Sequence, residues 1–303
     1  MNVLSLFDGI SAGQVALNNI GIKPALYLAS EIDRWPVEVT NKHFPNTIQL
    51  GDVKTVDKNT LPKIDLLIGG SNCQSFSVAN TFYNQPGFNS DDGKLFFEYV
   101  RLLEQTHPQY FLYENVASMK ASDKDAISKH LRVEPLKIDS AICSAQSRKR
   151  YYWTNIPQKP FSLAGLNRII NDEIDLSMND DVRERTKDKI IKLNLTTHKL
   201  NLPEKRLLKP NRLGFINNDM RGNRVYSQYG KSITLTASSG GIGRCTGLYL
   251  INDQIRRLSP LECERLQTFP DQYTAGIRET ERYRVLGRSL TVKVIEHLFS
   301  SLK

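Results

Sequence analysis

Val3-Leu4-Ser5-Leu6-Phe7-Asp8-Gly9-Ile10-Ser11-Ala12-Gly13 is the stretch on which the fold turns. Val3–Phe7 is a short apolar run stopped by Asp8 and Gly9, and it reads as a buried strand. Ala12–Asn19 continues with helical spacing and stops near Gly21. A strand that passes through a glycine-bearing turn into a helix is how an open α/β sheet begins, and such sheets take their ligands at the carboxyl ends of the strands. The turn is not Gly-x-Gly-x-x-Gly, the spacing that lets a backbone approach a pyrophosphate, which argues against a dinucleotide.

The same grammar continues downstream. Ala25–Ala29 reads as a second strand, followed by a helix around Val37–His43. Thr47–Leu50 is a short third strand, and Ile64–Ile68 a fourth that runs into a Gly/Ser/Asn-rich loop. Leu95–Leu103 is helical in pattern, Tyr110–Tyr113 is another strand, and Lys149–Thr154 closes the region as a β-rich segment. Strands alternating with helices predict the α/β class, with a mainly parallel sheet covered on both faces. From about Pro157 to Gly243 the alternation gives way to polar and charged residues. Gly, Asn and Arg cluster in Asn211–Arg224, and Thr234–Ser239 with Gly240-Gly241 reads as a loop. Ile190–Leu195 and Ser232–Leu235 keep an apolar pattern, so a smaller, irregular domain is expected rather than a disordered insertion. Order returns at Ser259-Pro260-Leu261-Glu262, a helix start with Ser as N-cap, Pro first and an acid in the first turn. Val292–Leu302 reads as a final amphipathic helix. The expected division is 1–155, 156–255 and 256–303, the last segment returning to complete the first domain.

With 303 residues, 40% hydrophobic and 24% charged, the composition is that of an ordinary globular protein. No apolar run approaches the roughly 18 residues that a membrane span needs. The N-terminus lacks the basic start of a signal peptide. The four cysteines, Cys73, Cys143, Cys245 and Cys263, form no Cys-x-x-Cys pair, so neither a zinc site nor a disulfide framework is expected. The net charge of +9 suits a polyanionic partner.

Residues at the expected strand ends carry the chemistry. Glu31 follows strand two, where an acid takes ribose hydroxyls; Asp52 follows strand three, where it can accept from an adenine amino group. Glycine, Glu and Asp at three strand ends suit an adenosine-like ligand without phosphates. Strand four leads to Gly69-Gly70-Ser71-Asn72-Cys73-Gln74-Ser75-Phe76-Ser77, which puts a cysteine outside any apolar pattern, as an exposed thiol. The next strand ends in Tyr113-Glu114-Asn115-Val116, a glutamate whose partial desolvation would make it a usable acid. Gln146-Ser147-Arg148-Lys149-Arg150-Tyr151 places two arginines at alternate positions before an aromatic strand.

In this order the segments resemble the motif set of the DNA cytosine-5 methyltransferases. Phe7–Gly13 resembles the first cofactor motif, and Gly69–Ser77 the Gly-Gly-x-Pro-Cys-Gln-x-Phe-Ser loop. Glu114-Asn115-Val116 matches Glu-Asn-Val, and Gln146-x-Arg148-x-Arg150 matches Gln-x-Arg-x-Arg. Arg256–Pro270 resembles the Arg-x-Leu-(Ser/Thr)-x-x-Glu…Arg-Leu-Gln-x-Phe-Pro block, and Leu286–Leu298 the closing motif. Leu6–Ile10, Gly93–Glu98 and Leu286–Ser289 are worded most like the de novo subgroup, while the chain itself suits a bacterial or phage member. Two positions depart: Asn72 stands where the family has Pro, which removes a φ restraint from the loop, and Arg288 stands where most members have Asn. The transfer-RNA members' Cys-Phe-Thr signature is absent, since Cys245 is followed by Thr246-Gly247.

The resemblance implies a Rossmann-like S-adenosylmethionine-dependent methyltransferase sheet with a smaller irregular target-recognition domain. It implies S-adenosyl-L-methionine as cofactor, S-adenosyl-L-homocysteine as product and double-stranded DNA as partner. It leaves open a cognate restriction endonuclease, and it implies no metal, no membrane and a nucleoid-associated, cytoplasmic location in a prokaryote. In the family's chemistry Cys73 adds to C6 of a flipped cytosine, Glu114 meets N3, Asn115 helps orient the base, and Arg148 contacts the base carbonyl; Gln146 and Arg150 complete that set. The cofactor set is Phe7, Asp8, Gly9, Ile10, Ser11 and Ala12 in the first turn. Glu31, Ile32, Asp52 and Val53 follow the next two strands. Gly70 and Leu95 lie further along, and Arg288, Ser289 and Leu290 belong to the closing motif.

Overall fold

The computed structural model describes residues 1–70, 88, 90–163, 165–175, 191–193, 207–238 and 240–302. Asn72, Cys73 and the remainder of their loop past Gly70 lie outside the described residues. The chain opens as β1 (Asn2–Leu6), α1 (Ala12–Asn19), β2 (Leu26–Ser30), α2 (Arg34–His43), β3 (Ile48–Gln49) and β4 (Leu66–Gly69). It continues through α3 (Asp91–Thr106), β5 (Tyr110–Val116), α4 (Ala121–Leu131), β6 (Leu136–Asp139) and β7 (Lys149–Thr154). The seven strands lie in the order β3-β2-β1-β4-β5-β7-β6. From β3 to β5 every pairing is parallel, and β7 runs antiparallel to β5. The chain builds outward from β1 to β3 and then resumes at β4 on β1's other side, and this switch in strand order at the carboxyl ends of β1 and β4 is where open α/β sheets take their ligands.

Strands buried on both faces read as continuous apolar runs. Val3, Leu4 and Leu6 of β1 and Leu66, Leu67 and Ile68 of β4 are accordingly all buried. Leu4, Leu28, Leu67, Phe96, Tyr99, Tyr113 and Trp153 belong to one core cluster. The expected first strands, the first helix and Lys149–Thr154 are present within a residue or two. In this region α4 and β6 are not evident in the sequence. α4 buries only Ile127, Ser128 and Leu131, too thin a stripe to stand out in the sequence.

Beyond Pro157 the structure corrects the expectation of irregularity. β8 (Ile191–Leu193), β9 (Arg212–Ile216), β10 (Arg224–Ser227), β11 (Leu248–Ile251) and β12 (Gln254–Arg256) form a second sheet in the order β12-β11-β10-β9-β8. Its core is Leu213, Ile216, Val225, Leu248, Leu250 and Ile255. Strands of three to five residues, set between Arg- and Asn-rich turns, are too short to establish a period of two. Ser232 makes only an isolated bridge to Gln146. Three helices follow: α5 (Pro260–Leu266), α6 (Glu279–Arg288), which the reading missed, and α7 (Val292–Phe299). None of the described helices is long and apolar enough to cross a membrane.

Packing groups the chain into two compact units, Met1–Ile138 with Lys149–Pro160 and Ile295–Lys303, and Asp139–Arg148 with Phe161–Val294. The boundaries differ from those drawn on the sequence: of residues 256–303, only Ile295–Lys303 group with the first unit.

Within the second unit, α5 starts on a buried knot. Ser259 Oγ accepts from the Glu262 N–H at 3.1 Å and Glu262 Oε2 accepts from the Ser259 N–H at 2.6 Å. The Glu262 carboxylate also takes both Arg256 Nη groups, at 2.9 and 2.7 Å, and both side chains are buried. Removing one partner of such a pair strands the other's charge, at a cost of about 3–5 kcal/mol. Glu262→Ala should therefore lower the thermal midpoint sharply in calorimetry. A midpoint equal to wild type would mean that the pair holds nothing in place.

Candidate active site

At the carboxyl end of β1 the chain makes a tight turn in which Phe7, Gly9 and Ser11 have φ of 55°, 59° and 55°. Left-handed backbone at two non-glycine residues is strained, and neighbouring hydrogen bonds must hold it. Glu31, just past β2, supplies them. Its Oε2 accepts from the Gly9 N–H at 3.0 Å, and its Oε1 from the N–H groups of Ile32 and Asp33 at 2.9 Å each. One carboxylate thus ties the first turn to the second, with three of its about four acceptor positions taken by backbone. Ile32 beside it is 77% exposed.

Asp8 points inward. Its carboxylate accepts from Ser11 Oγ and, at 2.9 Å, from Tyr27 Oη. Ser11 Oγ also lies 3.0 Å from Thr40 Oγ1. Desolvation pushes the Asp8 pKa up to about 6, helped by the Glu31 charge and opposed by hydrogen bonds from Ser11, Ser5 and Tyr27. Tyr27 and Thr40, buttresses of this turn, went unnoticed in the sequence; the signal was Tyr27's inward position on a strand of otherwise aliphatic residues. Past β3, Asp52 caps a short 3-10 turn by accepting from the Lys54 N–H at 3.0 Å, and its side chain is exposed. Ile10, Ala12 and Val53 are buried, and Leu95 packs against the core, so these four support the turns.

The candidate catalytic residues gather at the ends of β4 and β5 and the start of β7. Gly70, the last described residue before the Cys73 loop, sits so close to β5 that a Cβ there would stand 3.0 Å from the Glu114 carbonyl oxygen and 3.1 Å from Glu114 Oε2. Glu114 Oε1 in turn lies 2.8 Å from Arg150 Nε, with side chains 13% and 10% exposed. The β5–β7 register, Glu114 opposite Tyr152 and Val116 opposite Arg150, makes the two charges diagonal neighbours. Asn115 projects to the other face of β5 and is fully buried.

Gln146 and Arg148 belong to the second unit. Gln146 is buried, accepting from the Leu235 N–H at 2.9 Å and donating to the Leu266 carbonyl at 3.3 Å. Arg148, 3% exposed, donates to the carbonyls of Leu235, Gly287 and Ser289 at 3.1, 3.2 and 2.8 Å. The two motif arginines therefore differ: Arg150 stands beside Glu114, and Arg148 braces backbone from the closing motif. β7 begins at Lys149, so Arg148 precedes the strand and the shared face expected of alternate positions does not arise. Ser289 is buried and Arg288 exposed, both with Leu290 in the second unit.

A doubly wound sheet with a glycine turn after β1, an acid after β2 and an acid near the end of β5 is a Rossmann-like architecture of the kind the methyltransferases use. The family model for C-5 cytosine-specific DNA methylases matches residues 1–303, and the chain belongs to that family. It is 28% identical to the type II methyltransferase M.HhaI of Haemophilus parahaemolyticus, over 98% of this chain and 93% of that one. It is 28% identical to the orphan methyltransferase M.SPRI of Bacillus phage SPR, over 100% and 97%. In fold it is similar to the methyltransferase EhMeth of Entamoeba histolytica, with a TM-score of 0.70 at 18% identity, covering 100% of this chain and 99% of that one. The protein is a DNA cytosine-5 methyltransferase: it transfers a methyl group to C5 of cytosine in DNA, and its donor is of the S-adenosylmethionine type.

The raised Asp8 pKa has a signed consequence. The folded chain holds this proton to about pH 6, whereas an ordinary aspartate releases it near 3.8. Folding therefore binds a proton between those values, and Asp8's contribution to stability falls as pH rises from about 4 to about 6. Asp8→Asn should gain thermal midpoint relative to wild type across that window. A difference between the two proteins that stays constant with pH would contradict the assignment.

Proposed function

We propose that the protein methylates cytosine within a specific duplex site, using S-adenosyl-L-methionine and releasing S-adenosyl-L-homocysteine, by covalent addition of Cys73 to C6 of a flipped base. The observation that carries this reading is the Glu114–Arg150 contact of 2.8 Å, abutting Gly70, three residues before Cys73. A stacked cytosine hides C6, so the base leaves the duplex at a cost of a few kcal/mol. The Cys73 thiolate then adds to C6 and the electron pair moves to C5. Glu114, having taken up a proton from solvent as the base enters, donates it in a hydrogen bond to N3 and so offsets the charge that builds on the ring. The resemblance gave the ring carbonyl to Arg148; we give it to Arg150, because Arg148's guanidinium is spent on three backbone carbonyls and Arg150's is held beside Glu114. C5 takes the methyl group, a base removes the C5 proton, and C5=C6 re-forms as the thiolate departs.

The residues of the first unit fit the donor. Its sulfonium supplies the electrophilic methyl group. Glu31 keeps an acceptor position for ribose hydroxyls, Ile32 offers apolar surface to a ring, and Asp52 an acceptor to an amino group. The turn Phe7–Ala12 brings its backbone to the same edge.

Target choice is assigned to residues 156–255. There the loop from Asn217 to Asn223 is stapled to the glycine loop from Gly240 to Arg244. Asn223 donates to Asn218 Oδ1 at 2.6 Å and accepts from the Ile242 N–H at 2.9 Å. The Gly243 N–H donates to the Gly222 carbonyl at 2.6 Å. The two loops line a groove of about 550 Å³ that includes Asn217, Asn218 and Arg244, groups of the kind that read base edges. A net charge of +9 favours the phosphates. A bacterial type II enzyme and a phage orphan among its relatives support a reaction at the nucleoid of a prokaryotic cell, with or without a cognate endonuclease.

Cys73→Ala should abolish methylation, read by bisulfite sequencing, and leave duplex and donor binding largely intact. The unaltered protein should form an adduct with duplex containing 5-fluorocytosine, because fluorine does not leave as the C5 proton does. Peptide mapping of that adduct to Cys143, Cys245 or Cys263, or methylation by the alanine variant, would overturn the mechanism.

A further inference from the structure

Asn115 follows the proposed catalytic acid, yet it is fully buried on the face of β5 opposite to Glu114. A buried amide must be hydrogen-bonded or it costs stability. Its Oδ1 accepts from the Val116 N–H at 2.8 Å and its Nδ2 donates to Tyr113 Oη at 3.3 Å. Two positions before Asn115 and on the same face, Tyr113 is itself fully buried. Its ring is gripped from three sides, by Tyr99 with centroids 4.9 Å apart, Phe96 at 5.3 Å and Trp153 at 5.8 Å. The hydroxyl is thus presented to Asn115 by a ring packed among three other aromatic rings. The same link fixes the Val116 N–H, next along the strand from Asn115 and opposite Arg150 in the register.

We infer that Tyr113 is a positioning residue for methyl transfer: through Asn115 its hydroxyl fixes the carboxyl end of β5 and so the direction in which Glu114 meets the base. The inference rests on the role proposed for Glu114. The neighbouring ring supplies an internal comparison. Tyr99 is also fully buried in the same cluster, and its hydroxyl has no hydrogen-bond partner among the described residues. Deleting a hydroxyl that pairs with nothing is neutral or stabilising, whereas deleting one that satisfies a buried amide is not.

Steady-state kinetics on the full chain, with duplex DNA and the methyl donor, test this. Tyr113→Phe should lower kcat about 3- to 10-fold, the scale of one lost hydrogen bond, with KM for DNA and donor unchanged. Tyr99→Phe should keep wild-type kcat. Asn115→Ala should reproduce the kcat-only loss, and the double variant Tyr113→Phe/Asn115→Ala should be no slower than the slower single variant, since both cut one link. If Tyr113→Phe fails to fold, the Asn115→Ala result decides alone. Wild-type kcat in Tyr113→Phe, or equal losses in Tyr113→Phe and Tyr99→Phe, would overturn the inference while a dead Glu114→Gln left the catalytic reading standing. Full activity in Glu114→Gln would remove both.

Discussion

Glu114 and Arg150 face each other at 2.8 Å with about a tenth of each side chain exposed. Two charges so far from water are held together only where the backbone brings them into register, because each would be costly alone. That register depends on one topological feature. The strands from β3 to β5 are parallel, and β7 is inserted beside β5 in the opposite direction. An antiparallel neighbour presents its beginning at the edge where β5 ends, so an arginine at the start of β7 reaches a glutamate near the end of β5. A parallel β7 would have carried Arg150 to the far edge of the sheet, away from the crevice.

Around this pair the sheet places a second carboxylate with a different task. Glu31 accepts from three backbone N–H groups and so organises two turns at once. Its charge stands at the carboxyl edge of the sheet, while Asp8, drawn inward, braces the turn through Tyr27 and Ser11. Each of the two proposed ends, for donor and for base, has one acidic residue at a strand end. β1 and β4, adjacent across the switch in strand order, set the spacing between them.

Much of this was legible in the residues. The strand–turn–helix opening, the acids after the second and third strands, and the glutamate ending β5 follow from apolar runs interrupted by chemistry-bearing residues. The second sheet was not legible, because its strands are too short for a period and its turns are rich in arginine and asparagine. Nor was the difference between Arg148 and Arg150. Alternate positions suggested one face, and only the start of β7 at Lys149 separates a residue on the strand from one before it. The direction of Asn115 was likewise hidden: a polar residue beside an acid near a strand end invites a substrate contact, and strand alternation sends it into the core instead. The position of Cys73 rests on the motif and on its closeness in sequence to Gly70.

The central claim is that Glu114 and Arg150 act on the base as one unit. A double-mutant cycle on the single-turnover rate tests it most directly, with Glu114→Gln, Arg150→Ala and the combined variant on one duplex substrate at saturating donor. The account predicts strong non-additivity: the combined variant is hardly slower than the slower single variant, because either change dissolves the pair. Losses that multiply, with no coupling between the two positions, would show that the guanidinium and the carboxylate act independently and would contradict the account.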